Sequence, residues 1–178
     1  MKTIETKRLT IRGFSADDAA DLYEYLSDAE VVRYEPYGVF TEREAAKEAK
    51  RRAGDECFPA VCLKNGKLIG NLYLSEGELG TWEFGYVFNK EYWGRGYATE
   101  AARAMLRHAF ECLGARRIIA MCNPDNERSW RLLERIPMRR EGRLIKNIFF
   151  DKDENGSPIW QDTFQYAVLR EEFIPARR

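Results

Sequence analysis

The feature that most limits the possible folds is a strand that runs into a glycine turn and then a helix. Residues 81–88 (TWEFGYVF) are rich in aromatic and apolar side chains and read as a strand. Gly94 and Gly96 follow, and over residues 96–113 Ala101, Ala104, Met105, Ala109 and Phe110 recur at helical spacing until Gly114 closes the run. Such a loop points successive backbone N–H groups outward at a helix N-terminus, where the macrodipole also favours an anion. The unit predicts a phosphate cradle, and rival phosphate loops fail on their own residues. A nucleotide-hydrolase loop needs a Lys-Ser/Thr pair after the second glycine, where this chain has Tyr97-Ala98. A dinucleotide fold needs glycines directly after the strand, a small residue where Thr99 stands, and an acid about twenty residues on, where the chain reads Arg116-Arg117.

The remaining elements build outward from this unit. Residues 8–14 alternate Leu9, Ile11 and Gly13 against Arg8, Thr10 and Arg12, a short strand that stops at the Ser15/Asp18 capping pair. Leu22, Tyr25 and Leu26 share one face of the helix that follows. Thr41 with Glu44 caps a second, charged helix to about Arg52; its few apolar positions are alanines, so it is expected on the surface with a solvated face at residues 47–52. Residues 58–63 and 68–74 form a hairpin about Asn65-Gly66, and residues 142–150 and 159–169 another about Asn155-Gly156. Between them lie a strand at 117–122 and a helix from Asn126 that Pro137 ends. The order predicts one α/β (α+β) domain over residues 1–178, with a mixed, mostly antiparallel central sheet of about seven strands flanked by about four helices.

Composition narrows the function. Lys and Arg (29) balance Asp and Glu (29), so no global field draws the chain to nucleic acid or an anionic membrane. The four cysteines and single histidine, His108, lack metal-ligand spacing, and no long apolar run predicts a membrane span. A cytoplasmic protein with reduced thiols, as a monomer or homodimer, is expected.

Residues 85–106 (GYVFNKEYWGRGYATEAARAML) closely resemble the coenzyme A-binding signature of the GNAT superfamily of N-acetyltransferases, in particular its RimJ/RimL-like ribosomal-protein N-terminal acetyltransferase branch. The resemblance extends to residues 5–9 (ETKRL), 123–130 (NPDNERSW), Glu141-Gly142 and Trp160-Gln161-Asp162 with Tyr166. It implies acetyl-CoA as co-substrate, with no metal, and a fold whose fourth and fifth strands (81–88 and 117–122) splay apart. It further implies that Gly94, Arg95, Gly96, Tyr97, Ala98 and Thr99 wrap the pyrophosphate, that Val87 and Phe88 offer backbone groups to pantetheine, and that the Asn126 side chain holds the same arm.

Acetyl transfer needs a neutral amine, donors for the developing oxyanion, and often a proton for the thiolate. An α-amine is roughly a tenth neutral at pH 7, a lysine amine only about one part in two thousand. Strand alternation turns Glu83 away from its aromatic neighbours, so it is the candidate base; the alternative is an ordinary solvated or paired strand carboxylate. The family's commonest acid, a tyrosine seven residues after the asparagine, is replaced here by Leu133. The branch resemblance points instead to Ser129 as the acid, against a plain role in the helix start. Residues 31–40 (VVRYEPYGVF) are the expected acceptor wall: Tyr34, Glu35 and Tyr37 either line a groove for a cationic amine or pack as a loop on the core. The acceptor is then the N-terminal α-amine of a protein or a small amine (polyamine, amino acid or aminoglycoside). A non-catalytic acyl-CoA sensor is the reading from another class.

Overall fold

A computed structural model describes residues 2–173. The strands are β1 (Ile4–Glu5), β2 (Leu9–Arg12), β3 (Ala60–Leu63), β4 (Leu68–Glu76), β5 (Thr81–Phe88), β6 (Arg117–Cys122), β7 (Arg139–Lys152) and β8 (Pro158–Leu169). The helices are α1 (Ala19–Leu26), α2 (Ala29–Val32), α3 (Glu42–Ala53), α4 (Tyr97–Cys112), α5 (Glu127–Arg135) and α6 (Arg170–Phe173). The eight strands form one sheet in the order β1-β2-β3-β4-β5-β6-β8-β7. Eight strands and six helices thus replace the expected seven and four. The additions are the two-residue β1 and the four-residue α2 and α6, too short to carry a periodic signal.

Every pairing is antiparallel except β5 with β6, which the α4 crossover makes parallel. That parallel pair is short. It joins Thr81 to Arg117, Trp82 to Ile118 and Glu83 to Ile119, after which β5 runs on to Phe88 and β6 to Cys122 without a further rung. The expected splay is present, and it opens a gap in the middle of the sheet.

Both faces of the sheet are covered. On one, Ala101, Met105, Leu106, Ala109 and Phe110 of α4 and Leu132, Leu133 and Ile136 of the α5 segment pack with Phe84, Phe88 and Ile118. On the other, Leu22, Tyr25 and Leu26 of α1, Val31 and Val32 of α2 and Ala49 of α3 pack with Ala60, Cys62 and Val87. The capping pairs at Ser15/Asp18 and Thr41/Glu44 are both formed. The charged helix differs from expectation in one respect. Ala45, Ala49 and also Arg52 lie inward, Arg52 at 2% exposure, so the 47–52 run is not wholly a solvated face.

Candidate active site

The pleat of β5 decides which backbone groups look into the gap. Asn89 N–H donates to Ile69 at 2.9 Å, and Gly77 N–H donates to Thr81 at 2.8 Å. Hydrogen-bonded rungs recur every second residue, so Thr81, Glu83, Gly85 and Val87 turn their amides into the β4 ladder, while Tyr86 and Phe88 turn theirs toward β6. Because β6 pairing stops at Glu83, those groups face open space. The Phe88 carbonyl is taken by the Trp93 indole N–H at 2.8 Å. The Tyr86 N–H and C=O and the Phe88 N–H are left as a strand edge suited to an extended, amide-bearing arm such as pantetheine. Val87, paired with Asn71, turns its backbone toward β4 and its side chain into the core, so the open edge beside Phe88 belongs to Tyr86.

Gly94 and Gly96 both adopt the left-handed conformation, at φ 73° and 78°. Gly96 is the N-cap of α4 and supplies no side chain, so no cap side chain occupies the N–H groups that open the helix at Tyr97, Ala98 and Thr99. The acid of this first turn, Glu100, is drawn off sideways. Thr6 Oγ1 donates to it at 2.7 Å, and Arg8 donates through its backbone at 2.9 Å and Nε at 2.6 Å. Burial alone would raise the Glu100 carboxyl, but these hydrogen bonds outweigh it and hold it below the usual range. Arg8 also donates from Nη1 to the Arg95 carbonyl at 2.9 Å and lies 4.4 Å over the Tyr97 ring. The guanidinium therefore braces the loop while neutralising a charge that would repel a pyrophosphate.

Across the gap, Asn126 caps α5 by accepting from Ser129 N–H at 3.2 Å, which leaves its NH2 as a donor. Tyr86 Oη donates to the Ser129 carbonyl at 2.9 Å and lies 2.9 Å from Ser129 Oγ. Burial pushes the Tyr86 phenol up, so it stays protonated at neutral pH. Cys122 is likewise pushed up by burial, to about 11, and is no nucleophile. Sequence reasoning missed Tyr86 because an aromatic in a strand reads as core, and missed Arg8 because its partners Arg95 and Glu100 lie some ninety residues away.

The acceptor side divides the remaining candidates. Glu83 is exposed, in the last rung joined to β6, with Ser75 and Ile119 opposite it; the pleat puts its side chain on the face away from Tyr86. Loop 33–40, which packs on the same face as Val87 and Glu83, comes to the gap. Tyr34 Oη donates to the Asp125 carbonyl at 3.2 Å, and Arg128 of α5 pairs with Glu30 of α2 at 3.2 Å while stacking 4.5 Å over Trp93. Glu35 and Tyr37 are half-buried and line a cavity of about 360 Å³ with Val32, Arg33, Phe150 and Asp151. Burial pushes the Glu35 carboxyl up to about 7, against the hydrogen bond from Tyr37 and the charge of Arg52. Among the described residues no group of three His, Cys, Asp or Glu side chains can hold a metal ion, and no helix is long and apolar enough to cross a membrane.

Known proteins share this architecture. The chain is 43% identical over 174 residues to the uncharacterized N-acetyltransferase YnaD of Bacillus subtilis, covering 96% of this chain and 98% of that one. It is 25% identical to the spermidine N(1)-acetyltransferase of Escherichia coli K12, over 94% of this chain and 91% of the relative. The crystal structure of a GNAT-family acetyltransferase from Bacillus anthracis superposes with a TM-score of 0.87 at 38% identity, over 96% of this chain and all of that one. The acetyltransferase (GNAT) domain model matches residues 8–139, which include the splayed strands, the glycine loop and the start of α5. With those parts in place and that match over most of its length, the chain belongs to the GNAT family and is an acetyl-CoA-dependent N-acetyltransferase.

Proposed function

We infer that the protein transfers acetyl from acetyl-CoA to the primary amine of a small cationic acceptor, by direct attack with both substrates bound. The observation that carries the acceptor is the cavity between loop 33–39 and the end of β7. Its volume of about 360 Å³ is that of a small-molecule site. Glu35 and Asp151 in its wall supply counter-charge for ammonium groups, and Tyr37 and Phe150 offer aromatic surface to a cation or alkyl chain.

The donor supplies an acyl carbon activated as a thioester. Around it the chain's residues have separate tasks. Gly94 sets the turn, and the amides from Arg95 to Thr99 hold the pyrophosphate. The Tyr86 and Phe88 backbone and the Asn126 NH2 align the pantetheine arm. Ser129, steadied by the Tyr86 phenol, delivers a proton toward the sulfur. A coenzyme thiol ionises near the reference of about 8.5, so this proton assists departure without being indispensable.

The ribosomal-protein branch acts on protein α-amines, whereas the E. coli relative is named for spermidine. A panel of spermidine, an aminoglycoside, free amino acids and a peptide with a free N-terminus, followed by thiol release from acetyl-CoA, separates these acceptors. Turnover of a small cationic amine is expected. Turnover confined to the peptide would replace the acceptor, and no turnover of any amine would overturn the reading.

A further inference from the structure

We propose that Glu35, and not Glu83, is the base that takes the proton from the acceptor ammonium, with Tyr37 and the buried Arg52 as its positioning residues. This rests on the acetyl-transfer reading above and names the proton acceptor within it. Glu35 follows Tyr34, whose hydroxyl is fixed on the Asp125 carbonyl between β6 and α5, so the loop is tied to the gap, and Glu35 itself stands in the wall of the acceptor cavity. Its charge is felt at the Tyr86 phenol, the group bonded to Ser129. Glu83 shares the Val87 face of β5, the face that loop 33–40 also covers, but it is exposed, stands where the sheet is still closed and does not line the cavity.

Arg52, 2% exposed, lies with its guanidinium 4.8 Å from the Phe58 ring and 5.4 Å from Phe14. Its Nε is held by Glu48 at 2.7 Å, but its Nη1 is buried without a hydrogen-bond partner. Such a cation keeps residual field for the groups nearby, and both Glu35 and Tyr37 feel it. The charged and titratable groups around Glu35 are then Tyr37 of its own loop, Arg52 of α3, Tyr86 of β5, and Arg33 and Asp151 on the cavity wall. Burial opposes ionisation, while Arg52 and the Tyr37 hydrogen bond favour it, and the balance leaves a carboxyl that titrates near neutrality. A base is most effective when its pKa lies near the working pH.

The proton balance is simple. Ionised Glu35 takes one proton from the acceptor ammonium and passes it to solvent. The freed nitrogen lone pair forms the N–C bond as the C–S pair leaves with sulfur, and the nitrogen's second proton is matched by the one that converts thiolate to thiol.

The test compares pH profiles of kcat/KM for the best amine in wild type, Glu35→Gln, Tyr37→Phe and Glu83→Gln, alongside the 13C carboxyl resonance of Glu35 in the free protein. Wild type should show an acidic limb near pH 7, matched by a Glu35 resonance titrating there. Glu35→Gln should lose the limb and about 100-fold in kcat while binding acetyl-CoA normally by calorimetry. Tyr37→Phe should move the limb to higher pH and leave the plateau above it. A limb that survives Glu35→Gln, disappears in Glu83→Gln, or a variant that changes only the acceptor KM overturns the proposal and leaves acetyl transfer standing. Wild type that turns over no amine overturns both.

Discussion

Leu133 is 1% exposed and packs in the core, so α5 brings no hydroxyl to the gap from the position where related enzymes carry a tyrosine. Tyr86 brings one from the facing strand, and its two contacts to Ser129 make a compact pair of hydroxyls. Oη gives its one proton to the Ser129 carbonyl, so the proton between Oη and Oγ in this arrangement is the Ser129 one, and it can point at the sulfur only when the phenol turns to donate to Oγ instead. Removing the phenol while keeping the ring therefore separates chemistry from binding. Tyr86→Phe should lower kcat about tenfold with the KM for acetyl-CoA unchanged, which steady-state kinetics will read; a change in KM alone would show that the phenol only shapes the cofactor cleft. Ser129 was a candidate from the sequence because it sits in a motif with Asn126. Tyr86 was not, because side-chain alternation sorts core from surface but does not say that the adjoining strand has left. Nor was the parity of the β5 hydrogen bonds legible there; it turns the backbone of Tyr86 and not of Val87 toward the gap.

The strand, glycine turn and helix are the element on which the site is built, and residues near the start of the chain brace the turn. Thr6 and Arg8 bind Glu100 over a sequence distance that no local pattern spans. Without Arg8 the Glu100 carboxylate would remain in the first turn of α4, facing the same N–H groups as the pyrophosphate. Arg8→Ala is expected to raise the KM for acetyl-CoA about tenfold, roughly 1.4 kcal/mol, with a smaller effect on kcat. Adding Glu100→Gln should recover part of that loss, since the repulsion disappears with the charge; additive losses in the double variant would mean that Arg8 acts through the Arg95 carbonyl alone. At this scale the sequence was informative. Both Asn-Gly hairpins, both capping pairs and α4 follow from local chemistry. The burial of Arg52 did not, because a guanidinium in a run of charges reads as solvated until its aromatic neighbours, Phe14 and Phe58, are seen to close over it.

In the molecule as a whole, the acceptor cavity depends on a hairpin anchored at its far end. Phe150 and Asp151 belong to β7, the outermost strand, which meets the rest of the sheet only through β8. Near the start of β7, Glu141 reaches over β8 to Arg117 of β6 and also pairs with Arg139 at 2.8 Å. The hydrogen bond from Arg117, with the charges of both arginines, holds the Glu141 carboxyl down at about 2 against an ordinary 4.5. A carboxyl depressed on folding contributes stability that is fully present above 4.5 and drains away as pH falls toward 2, since the unfolded chain takes up the proton first. The Glu141 side chain is 24% exposed, so solvent screening reduces the contribution to on the order of 1–2 kcal/mol. Glu141→Gln should cost about that much at pH 7, and urea unfolding midpoints of wild type and variant should converge between pH 4.5 and 2. Glu35 runs the other way. Its raised carboxyl is at ease below 4.5 and loses stability as pH rises through about 7, so the two carboxylates pull the pH optimum of stability below that of catalysis. If the midpoints stay parallel down to pH 2, Glu141 does not clamp the hairpin, and the cavity wall is held instead by the β7–β8 ladder.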